Sequence, residues 1–250
     1  MPGSWSSLGA VLMAGIVVGC AGPTTPLSGA GPAARELPRD PSRRVLYVAL
    51  GDSTVQGEGA TGPAGTYVSH LGERLRSVYP AAREVNLGAG GATARDVVRT
   101  QLGRTVVLRP DLVTLSVGPN DITRERTPQQ YERDIETILR TLTTRTTAAV
   151  VVNLIPELAV TPRFKGRDIE ASLRDRVLRF NEALLRQARA YRAEVVDLYE
   201  ASRREVPQRP ELISADGYHP SDLGYARWAA LMWQGVEARI PRAILRQAPS

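Results

Sequence analysis

Four short polar segments hold the residue types that nucleophilic chemistry needs. Gly51-Asp52-Ser53, with Gly57 four residues on, offers a hydroxyl beside a glycine that permits a tight turn. Read alone, Ser53 serves equally as a helix N-cap. Asn86-Leu87-Gly88-Ala89-Gly90-Gly91-Ala92-Thr93 is a glycine loop, in which backbone N–H groups can face a ligand without side-chain obstruction. It departs from the dinucleotide-binding G-x-G-x-x-G pattern, because Thr93 takes the last glycine position and the loop follows a second strand. Gly118-Pro119-Asn120-Asp121 could aim a side-chain amide at a developing oxyanion, although these four residue types also make an ordinary turn. Asp216-Gly217-Tyr218-His219-Pro220 places a carboxylate three residues before an imidazole. A serine nucleophile needs a base, and the base needs an orienting acid. The plain alternative is a capping Asp beside an incidental His.

Those segments need a frame that brings them together. Apolar runs predict strands over residues 45–50, 84–87, 112–117, 148–155 and 193–198. Between them, helical patterns cover residues 65–79, 93–102, 128–143 and 168–191, with Thr93 as an N-cap, and a last helix runs from Pro220 to about Ala238. Pro220 suits a first helical position, which leaves His219 at a loop–helix junction. Strands alternating with helical crossovers imply an α/β fold with a five-stranded parallel sheet covered on both faces. Ligands in such sheets bind beyond the carboxyl ends of the strands. Each of the four segments follows a strand.

Composition narrows the classes. Apolar residues are 42% and charged residues 23%, so the chain can bury a core and is not disordered throughout. One cysteine excludes an intrachain disulfide framework, and two histidines leave little for a metal cage; no metal and no cofactor are expected. The net charge is +6, but the basic residues are scattered and Lys165 is the only lysine. That pattern reads as solvated helix faces, so no nucleic-acid partner is expected.

The amino-terminal end reads as a targeting segment. Leu8 to Gly19 is apolar but too short to span a bilayer comfortably, and resembles a signal peptide over residues 1–19. Val17-Val18-Gly19-Cys20 resembles a bacterial lipobox, which implies lipidation of Cys20, the sole cysteine. Residues 1–7 lack the usual Lys or Arg, and the alternatives are cleavage of an ordinary secretory signal nearby or an uncleaved anchor. Residues 20–43 are rich in Gly, Pro, Ser and Thr and read as a tether, with the folded domain spanning 44–250. The expected place is outside the cytoplasm, anchored to the membrane or secreted.

In this order and spacing, Gly-Asp-Ser, the glycine loop, Gly-x-Asn-Asp and Asp-x-x-His-Pro resemble the GDSL or SGNH hydrolase family over roughly residues 45–240. The resemblance implies a flavodoxin-like three-layer α/β/α sandwich. It implies Ser53 as nucleophile, His219 as base and Asp216 as orienting acid. It further implies an oxyanion hole made by the Ser53 and Gly91 N–H groups and the Asn120 amide. Thr54 stands where the family commonly has Leu, and Pro119 separates Gly118 from Asn120. Asp52 and Asp121 read as structural, and His70, inside a helical pattern, as a surface or packing residue. The implied activity is an exported ester hydrolase (esterase, lipase or acylhydrolase) acting on small-molecule, lipid or polysaccharide esters. An acyltransferase with the same triad, passing the acyl group to an alcohol, and a non-catalytic surface-binding module are the alternatives. The absence of a long apolar lid tilts the expectation toward small or surface-presented esters.

Overall fold

The structure, a computed structural model, describes Met1, Gly3 and residues 34–246. The apolar stretch 8–19, Cys20 and the tether as far as residue 33 lie outside the described residues. In chain order the elements are β1 (Leu46–Gly51), α1 (Ser53–Gln56), α2 (Tyr67–Val78), β2 (Arg83–Asn86), α3 (Ala94–Asp96), α4 (Leu102–Leu108) and β3 (Leu112–Ser116). They continue as α5 (Pro119–Thr123), α6 (Pro128–Arg145), β4 (Ala149–Asn153), α7 (Glu170–Ala190), β5 (Glu194–Val196), α8 (Leu198–Glu205), α9 (Asp222–Glu237) and α10 (Arg242–Leu245). A π-helical turn, Val97–Gln101, joins α3 to α4.

The five strands pair in parallel in the order β2-β1-β3-β4-β5, as the alternating pattern predicts. Strands β3 and β4 are buried along their whole length, which explains their unbroken apolar runs. One side chain set from the sheet packs under α6 and α7 through Ile135, Ile138, Val177 and Phe180. The other packs under α2 and α9 through Leu71, Leu75, Tyr225 and Met232. Each such fully buried side chain contributes about 1.5–3 kcal/mol of transfer free energy. The result is an α/β/α sandwich. The strand order reverses between β1 and β3, so the crevice beyond their carboxyl ends is the topological switch point.

Several boundaries differ from the sequence expectation, and the helix expected over residues 93–102 continues through α4 to Leu108. The domain begins before residue 44. Leu37 is buried with its N–H on the Arg239 carbonyl, and the Arg35 guanidinium donates to the Thr143 and Thr146 carbonyls. Strand β5 stops at Val196, because the Asp197 side chain accepts the Glu200 N–H and starts the unanticipated helix α8. Pro220 is not the first residue of the last helix. It bridges to Ile213, and Ser221 caps α9 by accepting the Gly224 N–H.

Candidate active site

The turn that carries Ser53 is built around a position that tolerates only glycine. Gly51 has φ +148°, and a Cβ there would lie 1.9 Å from the Ser116 carbonyl oxygen. Buried Gln101 clamps this residue from both sides, accepting the Gly51 N–H at 2.9 Å and donating to its carbonyl at 2.8 Å. The π-helical turn aims Gln101 at that spot. Asp52 then caps α1: its Oδ1 accepts the Thr54 N–H and hydroxyl, at 2.9 and 2.8 Å. Ser53 is thereby lifted at the end of β1 with its hydroxyl toward the crevice.

The Ser53 Oγ lies 2.9 Å from His219 Nε2, and His219 Nδ1 lies 2.5 Å from Asp216 Oδ2. Asp216 Oδ1 accepts three more hydrogen bonds, from the Ser214 hydroxyl and the Tyr218 and His219 N–H groups, at 2.8, 2.8 and 2.9 Å. Burial raises the Asp216 carboxyl, but the His219 side chain, these backbone N–H groups and Ser214 together hold it well below the usual carboxylate range. The carboxylate is therefore charged where it faces the imidazole. The two histidines separate as expected: His70 sits on α2 with Nδ1 3.8 Å from Glu73, apart from Ser53.

The resemblance implies an oxyanion hole at the glycine loop, which packs beside Ser53. Gly88 presses on α1, where a Cβ would lie 2.5 Å from the Gln56 N. The Gly90 N–H is tied to Gln56 Oε1 and the Ala89 N–H to the Gly51 carbonyl. Gly91 adopts φ +73°, and among the described residues neither its N–H nor that of Ser53 has an acceptor within the chain. The Asn120 amide donates to the Ala92 carbonyl at 3.1 Å, which fixes its plane and leaves its second N–H available. Buried Asp121 joins this corner: it accepts the Ala94 N–H at 2.9 Å and pairs with Arg126 at 3.0 Å. Burial pushes its carboxyl up to about 6, against the pull of Ala94 and Arg126. Asp52 is also pushed up to about 6 by burial, although the Thr54 hydrogen bonds lower it, and its Oδ2 has no partner. Both aspartates brace loops, as the sequence suggested.

A cavity of about 280 Å³ opens over Ser53, Gly91, Asn120 and His219, walled by Glu58, Thr123, Arg163, Phe164 and Tyr218. A second cavity of about 100 Å³, with apolar walls from Leu198, Leu212 and Trp228, lies on the other side of Tyr218 and His219. Among the described residues no cluster of His, Cys, Asp and Glu could hold a metal ion. Sequence reading missed Gln101, Ser214 and Arg163. Gln101 acts through a pairing fifty positions apart that only the folded chain creates, whereas Ser214 bonds Asp216 two residues on, a local spacing the sequence did carry. Only the aromatic following Arg163 hinted at the third.

A switch-point crevice holding a Ser-His-Asp relay beside free N–H donors defines a serine-hydrolase-like α/β protein. Residues 49–227 match the GDSL-like lipase/acylhydrolase family, and the chain belongs to it. It is thus an ester hydrolase in the broad sense of that family. An acetylxylan esterase of Geobacillus stearothermophilus is 28% identical over 189 residues, covering 70% of this chain and 83% of that protein. Among solved structures, the acetyl xylan esterase AlAXEase superimposes with a TM-score of 0.64 at 18% identity, covering 77% of this chain and all (100%) of its own. TesA gives a TM-score of 0.63 at 20% identity, with 78% and 99% covered. These two establish the shared fold.

Proposed function

We propose that the protein hydrolyses carboxylic esters through an acyl-enzyme on Ser53. The observation that carries this is the continuous relay of Ser53 Oγ, His219 and Asp216, at 2.9 and 2.5 Å, beside unoccupied N–H donors. His219 takes the hydroxyl proton as Ser53 Oγ attacks the ester carbonyl. The Ser53 and Gly91 N–H groups and the Asn120 amide receive the oxyanion. The C–O bond to the alcohol breaks as His219 returns the proton to the leaving oxygen. Water, deprotonated by the same imidazole, then releases the acid from Ser53. Asp216 holds the ring with Nδ1 protonated and offsets the charge that develops on it.

The substrate class favoured is a short acyl ester on a polar alcohol such as an acetylated polysaccharide. Support comes from the curated esterase relative at 28% identity and from a Ser53 cavity whose walls mix polar groups with Phe164 and Tyr218. A panel of aryl esters of increasing acyl length, followed by acetylated oligosaccharides, tests this reading. Fastest turnover on acetyl esters, with acetate as the product, is expected. Turnover confined to long acyl chains would overturn the substrate class. Transfer to an added alcohol in preference to water would make the enzyme an acyltransferase.

The proposal extends to location. The apolar stretch 8–19 and the single cysteine directly after it support export and anchoring through a lipid on Cys20. Fatty-acid labelling in a bacterial host should tag the wild type and fail to tag Cys20→Ser. Unlabelled wild-type protein in the medium would indicate plain secretion.

A further inference from the structure

Arg163, an exposed residue, lines the Ser53 cavity with its guanidinium set against two aromatic rings, and a second guanidinium, that of Arg124, lies beside Gly91. The Arg163 Cζ lies 5.1 Å from the Tyr218 ring centroid and 5.8 Å from that of Phe164. Tyr218 and Phe164 themselves meet edge to face at 5.7 Å, and Tyr218 meets His219 the same way at 4.9 Å. The Arg163 N–H donates to the Gly217 carbonyl at 2.9 Å, so its backbone is pinned to the loop that carries Asp216 and His219. Two aromatic faces and a backbone hydrogen bond thus hold a cation in place, at less entropic cost than for a freely rotating side chain. No carboxylate of the described residues lies within ion-pair distance of it, and its guanidinium makes no hydrogen bond there. Glu58, the acid in the wall of the same cavity, does not pair with it either.

We infer that Arg163 is a specificity residue that recognises an anionic group, carboxylate or phosphate, on the leaving alcohol of the ester. The inference rests on the hydrolase reading and deepens it. The leaving-group side follows from the chain of contacts. His219 must deliver its proton to the leaving oxygen, Tyr218 packs on His219, and Arg163 packs on Tyr218. An alcohol extending from that oxygen along Tyr218 brings an anion to the guanidinium, whose fork matches either oxyanion.

The test compares acetyl esters of phenols bearing, at the para position, a carboxylate, a phosphate or a neutral carboxamide. The readout is the kcat/KM ratio of each anionic ester to the neutral one. Arg163→Gln should lower that ratio about tenfold, since a charge-assisted contact at an exposed rim is weakened by solvent. Arg163→Lys should restore part of it, and added salt should shrink the wild-type ratio. Arg186→Gln, which removes one charge where Arg186 pairs with Glu132 on α6, controls for net charge and should leave the ratio unchanged. The relative size of the carboxylate and phosphate ratios identifies the anion. An equal ratio in wild type and Arg163→Gln overturns the inference. Titration of the free products, 4-hydroxybenzoate and 4-hydroxyphenyl phosphate, into wild type and Arg163→Gln reads binding without turnover. Weaker binding to the variant, in a protein that cleaves no ester, would sustain the recognition while the hydrolase reading fell.

Discussion

Asp216→Asn separates the two jobs of that side chain. Its Oδ1 organises the loop by accepting from Ser214, Tyr218 and His219, and its Oδ2 faces His219 Nδ1 at 2.5 Å. An asparagine can keep its oxygen on the three loop donors. Its NH₂ then meets Nδ1, and two donors cannot face each other. The imidazole must give up the Nδ1 proton and carry one on Nε2, where it can no longer accept the Ser53 proton. A wrong tautomer in a serine relay costs about 10⁴ in kcat, or roughly 5.5 kcal/mol of transition-state stabilisation. Folding stability should change by about 1 kcal/mol or less, because the loop bonds survive. Asp216→Ala loses all four hydrogen bonds. With the side chain 42% exposed, water replaces part of them, and the cost is about 2–3 kcal/mol. The assay pairs kcat on an aryl acetate with chemical denaturation, and nitrogen NMR of His219 reads the tautomer. An Asp216→Asn variant within tenfold of wild-type kcat, with Nδ1 still protonated, would refute this assignment of the acid.

Other perturbations bear on the rest of the site. Asn120→Ala should lose about 10²–10³ in kcat if its amide meets the oxyanion, against only about 1 kcal/mol of stability from its bond to Ala92; unchanged turnover in the folded fraction would leave it a turn residue. His219→Ala should abolish activity while His70→Ala stays within a few-fold, and the reverse result would misplace the base. Asp52 tests the buried charge through stability. Its folded pKa, about 6, lies above the unfolded 3.8, so the folded state binds the proton more tightly and stability falls as pH rises through that window. The stability of Asp52→Asn relative to wild type should therefore improve between pH 4 and pH 7.5, by up to about 3 kcal/mol. A difference that stays flat across the range would show that Asp52 does not titrate there.

Much of this architecture was legible because parallel strands buried on both faces leave long apolar runs. Residues 112–116 and 149–153 are read directly that way. Three of the polar segments were legible because each sits at a strand end, where a tight turn demands glycine; the fourth, expected directly after strand five, instead lies beyond β5 and α8 and was legible by its Asp-x-x-His-Pro spacing alone. What escaped notice was long-range or weakly patterned. The Gln101 clamp on Gly51 joins residues fifty positions apart, and nothing in Val-Val-Arg-Thr-Gln announces a π-helical turn. Helix α8 buries only Leu198 among its eight residues, so it left little apolar periodicity. Pro220 fits a first helical position by type, but Ser221 supplies the cap and thereby moves the helix start. Residues 35–39 look like tether by composition, yet buried Leu37 and the long-range hydrogen bonds of Arg35, Leu37 and Pro38 dock them. Arg163 was one of many arginines until the fold set it on Tyr218.

The central claim is a covalent acyl group on Ser53, and rapid quenching with mass spectrometry reads it directly. An aryl ester mixed with the enzyme and stopped in acid should leave one acyl group on the chain. Peptide mapping should place it on Ser53 in the Gly51–Gln56 segment. The adduct should form far more slowly in Asp216→Asn, whose imidazole cannot accept the Ser53 proton, and should vanish in Ser53→Ala together with turnover. An acyl group mapped to another residue, or wild-type turnover by Ser53→Ala, would contradict the mechanism.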